Sequence, residues 1–129
     1  MQIHQSAEDY LETILMLNQR MGRVRSIDVV NELGFTKASV SIAMKKLREN
    51  GYIAVDGEGN LTLLEPGREI AERIYSRHRL LTHFFVQLGV DEEVAAEDAC
   101  KAEHILSEQT LEKIRESALR TDAAAQEDE

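Results

Sequence analysis

Apolar positions in SAEDYLETILMLNQRMG fall three and four apart: Tyr10, Leu11, Ile14, Leu15 and Leu17, with Asn18 closing the stripe. That spacing predicts an amphipathic helix. Ser6 is its expected N-cap, Asp9 stands where a capping box places an acid, and Gly22 stops it. Two shorter helical patterns follow. One is expected to be capped by Ser26, points Ile27, Val30 and Leu33 inward, and ends at Gly34. The other is capped by Thr36, runs to Asn50 with Val40, Met44 and Leu47 inward, and stops at Gly51. Two short helices joined by a tight glycine turn read as helix-turn-helix. The period then changes. β-Rich runs at 52–55 and 61–64 flank DGEGN, a hairpin signal. A hairpin directly after the second helix makes the unit a winged helix.

Pro66 fits the first turn of a long helix reaching about Leu88, with Ile70, Ile74, Leu81, Phe84, Phe85 and Leu88 apolar. LGVD breaks it. Asp91 is placed to cap a helix over 92–106, and Ser107 to cap a last one through about Leu119. TDAAAQEDE has no core-forming residues and is expected to be mobile. The expected fold is mainly α with a small β-hairpin wing. An N-terminal winged helix-turn-helix over 1–64 precedes a C-terminal helical domain over 65–120 and an acidic tail over 121–129. The helical domain is too short to bury both faces of its helices, so a two-fold homodimer is expected.

Composition narrows the class. The 129 residues are 43% apolar and 30% charged, a soluble globular balance. No apolar run approaches the roughly 18 residues of a membrane span, and MQIHQSAEDY is no signal peptide. A cytoplasmic chain without a membrane partner is expected. A single cysteine excludes an internal disulfide framework and leaves a buried hydrophobe, a reactive thiol or a metal ligand. The net charge of −9 argues, taken alone, against nucleic acid. Its distribution argues otherwise: residues 20–48 carry seven basic against two acidic side chains, whereas 89–129 carry thirteen acidic against four basic. The basic stretch can meet phosphates.

The face expected to read DNA begins TKASVSIAMKK. Candidate contacts are Thr36, Lys37, Ala38, Ser39, Ser41, Ile42, Lys45 and Lys46, with Arg25 and Ser26 at the start of the preceding helix. Small and polar groups let the backbone approach base edges. No arginine or glutamine offers a bidentate base contact there, so direct readout should be modest: thymine methyls, hydroxyl contacts, and lysines on phosphates. The wing, with Asp56 and Glu58, should contribute little electrostatically.

In DACKAEHIL, Cys100, Glu103 and His104 stand three and four apart, which on a continuous helix puts thiol, carboxylate and imidazole on one face. Together they suit a divalent transition metal. Asp9 and Glu12 on the first helix and His78 in SRHRLL add candidate donors. Each also has an ordinary reading: Cys100 as a core hydrophobe, Asp9 as a cap, Glu12 as a solvated carboxylate, His78 as a surface histidine. His4 and His83 read as surface or boundary residues.

AEDYLETI, SVSIAMKKLRENGYI, RHRLL and DACKAEHILS fall in the order and spacing of one family. Over residues 5–118 the chain resembles the metal-dependent repressors of the diphtheria toxin repressor and manganese transport regulator family. The resemblance implies a homodimeric repressor that binds a double-stranded operator upstream of metal-uptake genes when divalent metal is plentiful. It implies no enzymatic activity and no small organic substrate. Asp9, Glu12, His78, Glu103 and His104 match the ligand positions of the manganese-type branch. Cys100 matches the iron-type branch, where the manganese type has glutamate. The iron type has methionine where Asp9 stands, and an ancillary site using glutamate and histidine where Thr82 and Ala96 stand, so that ancillary site is not carried over. The chain ends before the third domain usual in the iron type, which makes the two-domain form the expectation. The implied cofactor is Fe(II) or Mn(II), with Co(II), Ni(II) or Zn(II) as in vitro substitutes. The competing reading is a winged-helix regulator that answers a redox signal through Cys100.

Overall fold

The structure, a computed structural model, describes residues 5–127, with side chains through Asp122. His4 lies outside the described residues. The elements are α1 (Gln5–Met21), α2 (Ser26–Leu33), α3 (Lys37–Glu49), β1 (Ile53–Val55), β2 (Leu61–Leu63), α4 (Glu65–Gln87), α5 (Glu92–Ala102) and α6 (Glu108–Glu127). The chain divides into two compact units, one reaching from the N-terminus to Arg73 and one from Ile74 onward.

In the first unit α1 packs on α2 and β2, α2 on α3, and α3 on β1. Leu11, Ile14, Leu17, Val24, Val29, Val40, Ile53 and Leu61 form its buried apolar centre. The predicted stripe on α1 is buried, but Glu12 and Thr13 are buried with it, so residues 10–15 face no solvent on any side. Two caps differ from expectation. The helix is already formed at Gln5, which puts Ser6 inside its first turn and Asp9 in the second, beyond capping reach. The N-cap of α2 is Arg25, whose amide donates to Asp28 Oδ2 at 2.9 Å, so Ser26 is the first helical residue. The inward face of α2 is correspondingly rotated. Val29 is fully buried, Val30 and Leu33 are half-buried, and Ile27 is 43% exposed. Adjacent valines leave two helical phases open to the sequence, and packing against α1 and α3 selects the one centred on Val29.

The turn between α2 and α3 needs a left-handed residue, and Gly34 supplies it at φ 72°, its amide donating to the Val30 carbonyl at 2.8 Å. Thr36 caps α3 as predicted, accepting from the Ser39 amide at 3.1 Å. Val40, Met44 and Leu47 are its buried face. The hairpin pairs Ile53 with Leu63, Ala54 with Thr62 and Val55 with Leu61, antiparallel. The Leu61 amide donates to the Val24 carbonyl at 2.7 Å, and Arg25 bridges Asn60, so the segment before α2 lines the wing's second strand. Gly67, in the first turn of α4, sits where a Cβ would stand 2.2 Å from the Tyr52 carbonyl oxygen. Only glycine lets the helix start this close to the chain entering the hairpin.

The second unit is helical. Leu81 of α4, Ala99 of α5 and Leu111 of α6 are buried together, with Phe85, Ala102, Leu106 and Ile114 partly buried around them. Alanines at 95 and 99, both fully buried, let α5 approach closely. Leu88, expected inward, is 67% exposed at the end of α4, where Gly89 turns the chain at φ 102°. Asp91 occupies the N-cap of α5 without a side-chain cap hydrogen bond. Ser107 does cap α6, its Oγ accepting from the Thr110 amide at 3.2 Å. The last helix, expected to end near Leu119, continues to Glu127. The run TDAAAQE carries no core residues but is rich in alanine, the strongest helix former. No helix among the described residues is long and apolar enough to cross a membrane.

Candidate metal centre and nucleic-acid interface

His78 sits on α4, in the second unit. Glu103 and His104 do not sit on α5 as predicted. The helix ends at Ala102; Glu103 is its C-cap, and 103–105 form a turn closed by the Ile105 amide on the Ala102 carbonyl at 3.1 Å. No glycine or proline marks that end. The preference of Ser107 for a non-helical N-cap conformation requires the chain to leave helix before it. The shared helical face for Cys100, Glu103 and His104 is therefore corrected: Cys100 lies on the last turn of α5, exposed, and the other two lie past the helix end.

The turn brings the carboxylate and the imidazoles together. Glu103 Oε2 is 3.0 Å from His78 Nδ1, and Glu103 Oε1 is 3.4 Å from His104 Nε2. The Glu103 side chain is fully buried and that of His104 is 2% exposed. Oε1 of Glu103 accepts no hydrogen bond among the described residues. A buried carboxylate with one oxygen unsatisfied is costly unless a cation completes it. Oxygen and imidazole nitrogen donors at this spacing suit a divalent ion, and the residues fit the group the resemblance implies.

Arg77 holds the turn in place. Its guanidinium Nη1 donates to the Glu103 carbonyl at 3.2 Å, and Nη2 pairs with the Glu108 carboxylate in the first turn of α6. Only 15% of its side chain is exposed. No pattern in the sequence marks Arg77 for this task. Its one signal is adjacency to His78, and adjacent helical residues point about 100° apart, so adjacency implies no shared task.

In the first unit, Asp9 and Glu12 stand three apart on α1. Asp9 is half-buried and Glu12 is 6% exposed, which corrects the ordinary reading of Glu12 as a solvated carboxylate.

The predicted DNA face is open. Lys37, Ala38, Ser39, Ser41, Ile42, Lys45 and Lys46 are all exposed on α3. Ser26 is half-buried beside Ser41 and Lys45 along a groove between α2 and α3. Arg25 is engaged elsewhere: its Nε donates to the Glu58 carbonyl at 3.0 Å, and its Nη2 reaches the same oxygen. Arg23, whose side chain is 84% exposed, lies 3.9 Å from the Glu58 carboxylate. The wing is thus acidic in its own residues but accompanied by two arginines from the segment before α2.

A winged helix with an open basic reading face, joined in one chain to a helical unit that buries a carboxylate between imidazoles, defines a metal-dependent DNA-binding transcription regulator. Residues 2–61 match the iron dependent repressor N-terminal DNA binding domain, and residues 64–121 match the iron dependent repressor metal binding and dimerisation domain. The chain belongs to this iron-dependent repressor family, which includes the diphtheria toxin and manganese regulators it resembles. Members are DNA-binding regulators, not enzymes, and the second domain is the one through which they dimerise.

An uncharacterised helix-turn-helix transcriptional regulator of Methanocaldococcus jannaschii is 36% identical over 113 residues, 86% of this chain and 90% of that protein. The transcriptional regulator MntR of Bacillus subtilis is 35% identical over 109 residues, 84% of this chain and 77% of MntR. Among solved structures, a manganese-dependent transcriptional repressor in complex with manganese is 28% identical with a TM-score of 0.79. That match covers 87% of this chain, which spans about half (52%) of the solved chain.

Proposed function

We propose that this chain is a Mn(II)-responsive repressor of divalent-metal uptake genes. Its metal ligands in this reading are Asp9, Glu12, His78, Glu103 and His104. The observation that carries it is Glu103, fully buried, with imidazoles at 3.0 and 3.4 Å on its two oxygens. Manganese is favoured over iron because the buried donors are oxygen and nitrogen, whereas Cys100 is exposed. The similar manganese-dependent repressor supports the same choice. When bound, the ion supplies positive charge to the carboxylates that hold it. It favours the DNA-competent state by as much as it binds that state more tightly.

The test is an anaerobic Co(II) titration followed by visible and near-ultraviolet absorption, with Mn(II) and Fe(II) ranked by competition. Saturable binding without a thiolate-to-cobalt band, and duplex binding that appears with Mn(II) and vanishes with chelator, is the expected result. A strong thiolate band would put Cys100 on the ion and move the assignment to iron. Absence of saturable binding would overturn the reading.

A further inference from the structure

In the first unit α1 packs on α2 and β2, whereas α3 packs on α2 and β1. A direct link from α1 to the entrance of α3 runs through the turn between the two short helices. Gly34 is the C-cap of α2 and Thr36 is the N-cap of α3, so Phe35 is the one residue between the caps. The backbone of that turn sets the angle at which α3 leaves α2. Phe35 is 45% exposed, so burial in a core does not account for its placement. Its ring meets Tyr10 of α1 edge to face, with centroids 5.9 Å apart and planes at 74°. That is a favoured geometry for an aromatic pair. Tyr10 is itself held: it is 7% exposed, and Leu11 and Ile14 beside it on α1 are fully buried.

Asp9 and Glu12, three apart, share one side of α1, and Tyr10 points about 100° round from Asp9. One helix thus carries two candidate ligands on one side and the ring that touches the turn on another. A packed helix moves as a rigid body. A rotation or shift of α1 that seats the two carboxylates on an ion therefore carries the Tyr10 ring with it. Phe35 takes up that movement next to the residue that caps α3.

We propose that Phe35 is a positioning residue for the recognition helix: its contact with Tyr10 conveys metal occupancy at α1 to the start of α3. Phe35 touches neither the ion nor a base in this role. The inference rests on the proposed ligation by Asp9 and Glu12.

The experiment uses the full chain and a duplex selected by it from a random pool, in parallel selections with Mn(II), with Fe(II) and without metal. Duplex affinity is read by fluorescence anisotropy with Mn(II) and with chelator, and the ratio of the two dissociation constants is the coupling factor. Isothermal titration with Mn(II), with and without duplex, must return the same factor, because linkage is reciprocal. Phe35→Ala should lower the coupling factor about fivefold, the scale of one aromatic pair. Mn(II) should bind the free variant about as tightly as the wild type. Phe35→Leu keeps apolar bulk without the ring and should lose the same factor, so the test survives if the alanine variant folds poorly. Phe35→Tyr, which keeps the ring, should restore the factor. Asp9→Asn is the control for ligation and should weaken Mn(II) binding itself.

A merely structural role would weaken duplex binding equally with and without metal and leave the ratio unchanged. That result would overturn the inference, as would full coupling in Phe35→Leu. Unchanged Mn(II) affinity in Asp9→Asn would instead overturn the ligand assignment, whatever the coupling factor. Coupling seen with Fe(II) but not Mn(II) in the wild type would overturn the manganese assignment and leave the Phe35 comparison to be read with Fe(II). A wild type that binds duplex equally under all three conditions, or selects none, would overturn both readings.

Discussion

Asp56 in the wing and Glu103 beside α5 are both carboxylates at turns, and they are treated in opposite ways. Asp56 is exposed, yet both its oxygens meet donors of its own turn: Oδ1 the amides of Glu58 and Asn60, each at 2.9 Å, and Oδ2 the Asn60 side chain at 3.0 Å. Glu103 is fully buried, and one of its oxygens accepts no hydrogen bond among the described residues. The first arrangement is complete without any partner. The second carries the cost of a buried charge that protein groups only partly offset. Apolar surface is open in both units: the first leaves Met21, Ile27, Phe35 and Ile42 exposed. The second unit leaves Leu88, Val94, Ile105 and Leu119 largely exposed and opens a cavity of about 860 Å³ along α4, lined by His78, His83 and Glu92 among others. What separates the two turns is whether the carboxylate's own neighbours satisfy it.

The strongest way to break this comparison is Glu103→Gln, which keeps the shape and removes the charge. Affinity for Mn(II) should fall by more than about a hundredfold, beyond what loss of an outer hydrogen bond to a ligand costs. The thermal midpoint of metal-free protein should hold or rise, because a partly satisfied buried charge is gone. Isothermal titration and calorimetry measure the two quantities separately. Retained metal affinity with a much lower metal-free midpoint would show Glu103 to be a structural group like Asp56.

Gly67→Ala probes the first unit in the opposite sense. A Cβ 2.2 Å from the Tyr52 carbonyl forces the start of α4 away from the hairpin. The change should destabilise the protein by about 2 kcal/mol with or without metal. Denaturant midpoints that shift only in the metal-loaded state would contradict it.

Arg77→Ala should weaken Mn(II) binding about tenfold, the usual scale for a group that holds a ligand without touching the ion. Arg77→Lys should recover little of it, since lysine lacks the fork that spans the Glu103 carbonyl and the Glu108 carboxylate. Full recovery by lysine would reduce Arg77 to a general positive charge.

Much of the first unit can be read from sequence because its boundaries are chemically marked. Gly34 and Thr36 are local devices that work regardless of tertiary context, and both were legible. Ser6 does not cap because the chain is already helical at Gln5 before it, and Ser26 does not because Arg25, extended and with its amide on Asp28, takes the cap one residue earlier. The candidate ligands were legible as residue types in family register, but their geometry was not. The end of α5 at Ala102 carries no glycine or proline, and a pattern of three and four spacings looked like a helical face when it was a turn. The C-terminal part of α6 is illegible for the converse reason: residues 120–127 offer no apolar stripe, yet alanine needs no core to favour a helix. Arg77 left no trace in the pattern, because its partners lie 26 and 31 residues away.

The smallest expected effect lies at Asp56, and it tests whether the wing is as self-sufficient as its hydrogen bonds imply. The Asn60 side chain is the largest influence holding the Asp56 carboxyl below its ordinary value of 3.8, with the Asn60, Glu58 and Gly59 amides acting in the same sense. A carboxyl held low in the folded state stabilises it fully above the unfolded value. That contribution begins to fall as the pH drops past 3.8 and is lost as the pH passes through the lower folded value. The wing should therefore be insensitive to pH from neutrality down to about 5 and loosen only below 3.8. Carbon-detected titration of the Asp56 carboxyl, with the Glu58 and Asn60 amide shifts followed alongside, should give one coincident step in that acid range. Asp56→Asn should abolish the step in the amides while leaving Mn(II) affinity unchanged. An amide step at or above 3.8 would mean that another group controls the turn, and a loss of metal affinity in Asp56→Asn would mean that the two carboxylates are not independent.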